Sequence, residues 1–545
     1  MKKKYQKNHK RVPAETQLED IETRLMDLIV KRTQLIREQV GQADEKGQVR
    51  VDPRREKRLW QIWQKRAANH NLKEKVLRSV FHLLNGIAYD RDWDKDGGNE
   101  LYLRSKSSPL DIYIPGPKDL EQSRFLLTLA AVQGKGLRLD RPVFNDFLFE
   151  YVKGLNQAQA KITWDKEHIY KEDHTGLDFD HKVIYVGQDP FDLYLLLFLA
   201  TMKPGLCKFA GDSQLKLLDL KQIFKVVHQM GSRIIPLVPG TESLPFRLEA
   251  SGQLPEVISI DESADHQLVK ALILCLSCMD KGGTVRWSGS ISYLEKVFSF
   301  LDSWGFRYEV KEDRIFCSSF KTKEQMIQGP TTDLDPYLSG YLLAGPKILG
   351  GQVTLLGKFP EASFEGRQVI NHLQNWGLSL EIKDEQVRSK DNKRAQKEFS
   401  LNGQDENILF PLVFALAVSN FEDTTIFCQP SEDLDYAVDI LEKLASNFSY
   451  DQQLLKIGPL TRSETKEITI RSPSPWWCMS IGLISLKRPN IVLQNPGELS
   501  KIWPYFWSIL KNLPKPQDHS SVKENDQTFQ DIEAKKQRNR RIIVK

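Results

Sequence analysis

The sequence predicts an α/β body of six repeated units preceded by a small all-helical module. Three observations carry that expectation. A helix–turn–hairpin pattern returns about every seventy residues, the mark of stacked supersecondary units. A helical hydrophobic period without hairpins fills residues 18–90. The chain of 545 residues is 40% hydrophobic and 10% aromatic, ample material for packed cores.

The repeat is clearest in Val226–Ile234, Phe298–Tyr308 and Ile370–Leu380, where an apolar helix end runs into Gly231, Gly305 or Gly377 and then into a strand. Weaker copies sit around Gln157 and Asn447, and a truncated one ends near Leu510. A helix that must turn sharply into a strand needs a left-handed residue, which glycine or asparagine adopts cheaply. Charged tips, Lys311-Glu312-Asp313 and Lys383-Asp384-Glu385, separate the alternating strands that follow. No such unit can cover its own apolar face, so the six should share one core or two.

In the front module, Leu18, Ile21, Leu25, Leu28, Ile29, Leu35 and Ile36 recur at helical spacing, with Arg32 on the same stripe. Asp52-Pro53 is a start signal for a second helix through Trp60, Ile62 and Trp63. A third places Leu77, Val80, Phe81, Leu84 and Ile87 on one side, and the polar stretch Asp90–Glu100 reads as a linker.

Formal net charge is only +5, but the ends are basic, from Lys2 to Arg11 and from Lys535 to Lys545. These read as solvated tails, and a nucleic-acid partner is not expected. The first thirty residues lack an apolar core of a leader, and the longest apolar stretch, Phe191–Met202, falls short of the roughly 20 residues a bilayer span needs. A cytoplasmic protein is expected. Cys275 and Cys278 lie in an apolar run with no second ligand pair, so core packing is expected there, with no metal and no cofactor.

Six units of this size are the plan of the 5-enolpyruvylshikimate-3-phosphate (EPSP) synthases, and residues 100–513 resemble that family. Ile114-Pro115-Gly116-Pro117-Lys118-Asp119, running into Arg124–Ala131, is similar to the family's Pro-Gly-Ser-Lys-Ser segment and the helix after it. The resemblance implies a two-lobed inside-out α/β barrel, an inner lobe of about 114–325 and an outer lobe of about 326–513 plus 100–113, with a substrate cleft between. It also implies substrate-binding roles for Lys118, Arg124, Gln267 (of a Ser-Ser-Gln motif), Ser290 and Tyr293 (a Ser-x-x-Tyr motif) and Lys501. A small carboxylate of shikimate, chorismate or phosphoenolpyruvate type would be the ligand.

The chain departs from the pattern where charge is needed. Family arginines fall at about Tyr194, Lys216 and Trp477; the first serine of Ser-Ser-Gln is Asp265; the acid/base aspartate falls near Leu409 or Phe410; and a Lys-Glu-x-Asp-Arg motif becomes Pro430–Leu434. Enolpyruvyl transfer needs cations for two phosphates and two carboxylates together with acid/base groups. Ordinary catalysis is therefore doubtful, and the alternative is a non-catalytic regulatory or docking protein for aromatic amino-acid biosynthesis. No catalytic residue is assigned.

Residues from about Leu18 to Leu59 resemble the all-helical chorismate mutases: Arg32 matches the central arginine of the first helix, and Asp52, Arg55 and Glu56 the start of the second. The resemblance implies an intertwined homodimer through residues 18–92. Glu15 and Ala43 stand where two family cations belong, so mutase activity should be weak or absent. The expected organisation is a basic tail at 1–17, the helical domain at 18–92, a linker at 93–99, the body at 100–513 and a charged tail at 514–545.

Overall fold

The computed structural model describes residues 14–41, 53–68, 77, 80, 81, 84, 85 and 100–513, less 213–214, 239–240, 280, 319–331, 393–395, 402–407, 452 and 460–466. Asp52, Ala43, the linker 93–99 and the tail 514–545 lie outside the described residues, and of Glu15 and Glu56 only the helical backbone lies within them.

The front module contains a helix at Ala14–Gly41 and another at Pro53–Ala68. Residues 14–17, expected in the tail, belong to the first helix. Trp60 and Trp63 clasp the buried Phe81 ring at 5.3 and 5.4 Å. Of the apolar stripe on the first helix, Ile36 is buried, whereas Ile21, Leu28 and Leu35 stay at least half exposed. Part of the apolar face of this 28-residue helix is therefore open.

The chain divides into two compact units. The first holds Lys118–Asp333 and Ser500–Trp503 together with the front module; the second holds Leu101–Pro117, Leu334–Leu499 and the residues from Pro504 on. Lys501, counted with the outer lobe from sequence, thus belongs with the first unit.

In the first unit three helices, Leu120–Gln133, Pro190–Thr201 and His266–Ser277, are buried along nearly their whole length. Apolar residues on every side explain this: Phe191–Ala200 carries one charge, Asp192, and an all-round apolar helix has to be a core helix. Around them lie three sheets among the described residues. One joins Leu137–Asp140, His168–Lys171 and Ile162–Trp164. A second joins Val183–Val186, Pro204–Gly211, Phe246–Ser251 and Arg233–Pro236. The third joins Val257–Ser259, Gly283–Arg286, Arg314–Cys317 and Tyr308–Lys311. Amphipathic helices at Asp146–Gln157, Lys221–Gln229 and Glu295–Ser303 cover the remaining faces.

The second unit repeats the plan with buried helices Pro336–Leu343, Phe410–Val418 and Pro475–Ser485, and again three sheets among the described residues. Its first strands return to strands far along the chain: Leu110–Pro115 pairs in parallel with Gly351–Leu356, and Leu101–Leu103 runs antiparallel to Ile491–Leu493. Gly351 takes φ 86°, and any side chain there would strike the Leu110 backbone.

The repeat signal has a direct backbone counterpart. Gly231, Gly305 and Gly377 turn through φ 65°, 75° and 79°, each two residues past its helix. In the weak copies the same place is held by Gln159 at φ 69° and Ala445 at φ 48°. The geometry persists where the glycine does not, and this is why those copies are faint in the sequence.

Candidate functional site

The three buried helices of the first unit all begin on aspartate. Asp119 accepts from the Gln122 N–H at 2.8 Å, Asp189 from Phe191 at 3.0 Å and Asp265 from Gln267 at 2.9 Å. Each is a good N-cap, a carboxylate on the positive end of a helix dipole. Each also consumes a backbone donor that could otherwise hold an anion.

Basic side chains answer these carboxylates from within the unit. Arg124, 2% exposed, places Nη2 2.7 Å from Asp189 and Nε 3.1 Å from Asp192. Rings of Phe147, Tyr151 and Phe191 lie 5.7 to 5.9 Å from its guanidinium carbon. Burial works against the Arg124 charge, but Asp192 and then Asp189 outweigh it and raise its pKa. Arg124, expected from sequence to bind a ligand, is thus ion-paired with Asp189 and Asp192 within the unit. Lys296 binds Asp119 at 2.7 Å and Glu121 at 3.5 Å, and Lys270 lies 3.6 Å from Glu121. Burial alone would raise Glu121; Lys270, Lys296 and Arg124 bring it down to about 2.

The other candidates are more open. Lys118 Nζ donates to the Thr332 carbonyl at 2.8 Å. Gln267 sits in the first turn of its helix, and the neighbouring His266 ring stacks on Tyr293 at 4.7 Å and 15°. Ser290 Oγ lies 2.7 Å from Ser292 Oγ on an exposed turn. Tyr194, standing at an expected arginine position, donates to Asp265 at 3.3 Å, and its phenol is pushed up by burial and then by Asp265. Lys501 borders a hollow of about 350 Å³ that Asp146, Glu150 and Gln188 also line.

In the second unit three of the departures from the EPSP synthase pattern are packing residues, while Pro430–Leu434 lies largely at the surface. Leu409, Phe410 and Trp477 are all buried. Trp477 meets Phe410, Phe414 and Tyr436 with ring centroids at 6.0, 5.3 and 4.7 Å, and its indole donates to Asp433 at 2.6 Å. A charged group at Leu409 or Phe410 would have to be desolvated among apolar side chains, whereas at Trp477 it would meet Asp433.

In the front module Arg32 donates to the Leu84 carbonyl at 3.0 Å and to Asn85 Oδ1, and lies over the Phe81 ring at 5.8 Å. Arg55 is half-buried in the second helix. Sequence reasoning missed Asp189, Lys296 and Glu150, although Asp119-Leu120, Asp189-Pro190 and Asp265-His266 each stand as cap signals before an apolar run. Among the described residues no group of His, Cys, Asp and Glu is arranged to hold a metal ion, and no helix is long and apolar enough to cross a membrane.

No family model matches the chain. A 3-phosphoshikimate 1-carboxyvinyltransferase of Nostoc punctiforme is 21% identical over 437 residues, covering 76% of this chain and 99% of that protein. One of Methanospirillum hungatei is 22% identical over 244 residues, 43% of this chain; the chain spans only 56% of that relative. Among solved structures, the EPSP synthase of Acinetobacter baumannii aligns with a TM-score of 0.64 at 15% identity, covering 77% of this chain and 99% of that one. The enolpyruvyl transferase NikO of Streptomyces tendae aligns at 0.59 and 13%, covering 77% and 98%. The body therefore has an EPSP synthase-like α/β fold, and its sequence is similar to that family.

Proposed function

We propose that the body is a shikimate-pathway protein on the enolpyruvyl-transferase fold that binds a small shikimate- or chorismate-like carboxylate and does not carry out ordinary enolpyruvyl transfer. The observation that carries this reading is the burial of Arg124 between Asp189 and Asp192. Two phosphates must be met by cations free to meet them. Arg124 is already matched by carboxylates, and Trp477 and Leu409 belong to a core. Lys118, whose ammonium donates to the Thr332 carbonyl, and Lys501 are the motif cations assigned to a carboxylate, and the similarity to 3-phosphoshikimate 1-carboxyvinyltransferases supports a ligand of that class.

A second reading, a regulatory or docking protein for aromatic amino-acid biosynthesis, is favoured by the exposed Ile21, Leu28 and Leu35 on the long first helix. That face suits a second copy of the front module, and the resemblance of this module to chorismate mutases supports a homodimer.

Two measurements test the proposal. Phosphate release from shikimate 3-phosphate and phosphoenolpyruvate should stay far below an ordinary enzymatic rate of about 1 per second. Shikimate, shikimate 3-phosphate or chorismate should raise the melting temperature, since a ligand of the folded state stabilises it. Turnover at an ordinary rate would defeat the first half of the proposal, and no shift with any of the three would defeat the second.

A further inference from the structure

The hollow beside Lys501 carries three kinds of recognition chemistry. All its lining residues belong to the first unit, and its volume of about 350 Å³ lies within the roughly 300–1,000 Å³ typical of small-molecule sites. Asp146, Phe149, Glu150 and Lys153 project from one helix, at the three-, four- and seven-residue spacing of a single face. Trp164, on the edge strand Ile162–Trp164, stands over Phe149 with ring centroids 5.5 Å apart and remains 44% exposed. Lys501 is anchored from both sides: Ser500 donates to Asp146 at 2.5 Å, and Asn145 donates to the Ile502 carbonyl at 2.9 Å. The hollow thus holds two cations, two carboxylates and an aromatic wall.

We propose that this hollow binds a free α-amino acid with a flat aromatic side chain, its carboxylate held by Lys501 and Lys153, its ammonium by Asp146 and Glu150, and its ring against Phe149 and Trp164. Asp146 and Glu150, with Asp212 behind them on Gln188, favour a ligand that carries an ammonium over a dianion, which could answer only the two lysines. Glu150 is fixed for this role by the Gln188 N–H at 3.0 Å, and Gly187 leaves the space its carboxylate fills. Burial raises the Glu150 carboxyl above its ordinary value, and an ammonium alongside would relieve that cost. A half-exposed tryptophan beside a phenylalanine supplies the stacking surface. The inference shares Lys501 with the shikimate-type ligand proposed above, whereas Phe149 and Trp164 belong to this reading alone, so a Trp164 variant separates the two.

Calorimetric titration of the full chain tests it. L-Phenylalanine and L-tryptophan should bind, whereas N-acetyl-L-phenylalanine, L-phenylalaninamide and L-alanine, which lack the ammonium, the carboxylate and the ring, should each bind at least about tenfold more weakly. Trp164→Ala, at an exposed edge position, should weaken phenylalanine by a similar factor while leaving any shift produced by shikimate 3-phosphate unchanged; Trp164→Phe should fall between. Equal binding of the amide or the acetyl derivative would overturn the proposal. So would absence of heat at about 10 mM amino acid, far above a millimolar dissociation constant, or full affinity in Trp164→Ala. Loss of the shikimate-type response alone would defeat the earlier reading and leave this one standing.

Discussion

The two units hold their buried helices by the same plan but finish the helix ends in opposite ways. In the first, Asp119, Asp189 and Asp265 cap all three buried helices, and Arg124, Lys270 and Lys296 compensate the acidic groups around two of those ends. In the second, Asp335 and Ser474 cap two helices, and the third starts at Leu409 with no side-chain cap, beside a cluster of Phe410, Phe414 and Trp477. One unit keeps charge at its buried helix ends and pairs much of it from within; the other leaves one buried helix end uncapped and packs aromatic rings beside it. A site built to receive anions can be closed by either route, and each leaves a different energetic signature.

The charged route should show the largest response to substitution. Arg124→Met leaves Asp189 and Asp192 facing each other in a buried setting, and breaking such a pair from one side typically costs about 3–5 kcal/mol. Replacing the carboxylates as well, in Arg124→Met with Asp189→Asn and Asp192→Leu, should recover most of that loss in chemical denaturation. If the single variant unfolds at the wild-type denaturant concentration, the ion pair is not structural and Arg124 is available after all.

Acid should probe the same network at a somewhat smaller scale. Glu121 is held at about 2, below the 4.5 of an ordinary glutamate, so its contribution is complete above about 4.5 and is lost as pH falls toward 2. The full shift corresponds to a term on the order of 3 kcal/mol. Glu121→Gln should flatten the stability-versus-pH curve in that window, and an unchanged slope would show that Lys270 and Lys296 do not hold the carboxylate charged.

For the apolar route, Trp477→Phe removes the indole donor and leaves Asp433 short of a partner, an effect of about 1–3 kcal/mol. Trp477→Arg restores the residue type expected in an EPSP synthase and keeps Asp433 as a partner, but it should still destabilise, because a guanidinium replaces a larger apolar ring system and must be desolvated at a fully buried position. A well-folded Trp477→Arg variant that gains phosphate-dependent stabilisation would break the contrast between the units.

How much of this was legible follows the physics of each feature. Helix caps and all-round apolar runs are local: Phe191–Met202, read from sequence as an apolar stretch too short for a bilayer span, forms a core helix over Pro190–Thr201. The left-handed turns at Gly231, Gly305 and Gly377 announced the repeat, but Gln159 and Ala445 adopt the same backbone at a cost that the sequence does not display. Replacing Ala445 by glycine should therefore stabilise the second unit by about 0.5–1 kcal/mol, by relieving the left-handed strain. Gly231→Ala should destabilise the first, since its methyl would meet the Gln253 carbonyl at 2.7 Å. The pairing of Arg124 with Asp189 and Asp192 was not legible, because about 65 residues separate partners that only the fold brings together. Arg124 read as a ligand group because a sequence displays its charge and hides its partners.

The smallest expected effect concerns Asp265, the most exposed of the three capping carboxylates, whose side chain is 41% accessible. It accepts the Gln267 N–H and the Tyr194 hydroxyl, so charge reversal would destroy a cap along with the charge. Asp265→Asn keeps an acceptor at the helix start and removes only the negative charge, and asparagine is as good an N-cap as aspartate. Stability should change by a few tenths of a kcal/mol, the loss of a favourable charge at a helix N-terminus. Affinity for shikimate 3-phosphate should rise several-fold, because a partly solvated like charge contributes about 1 kcal/mol of repulsion at close range. The gain should shrink as salt rises from 0.05 to 0.5 M, since ions screen an accessible charge. Matching affinities for wild type and Asp265→Asn at low salt would mean that the phosphate never approaches this helix, the one of the three whose capping carboxylate no lysine or arginine answers among the described residues.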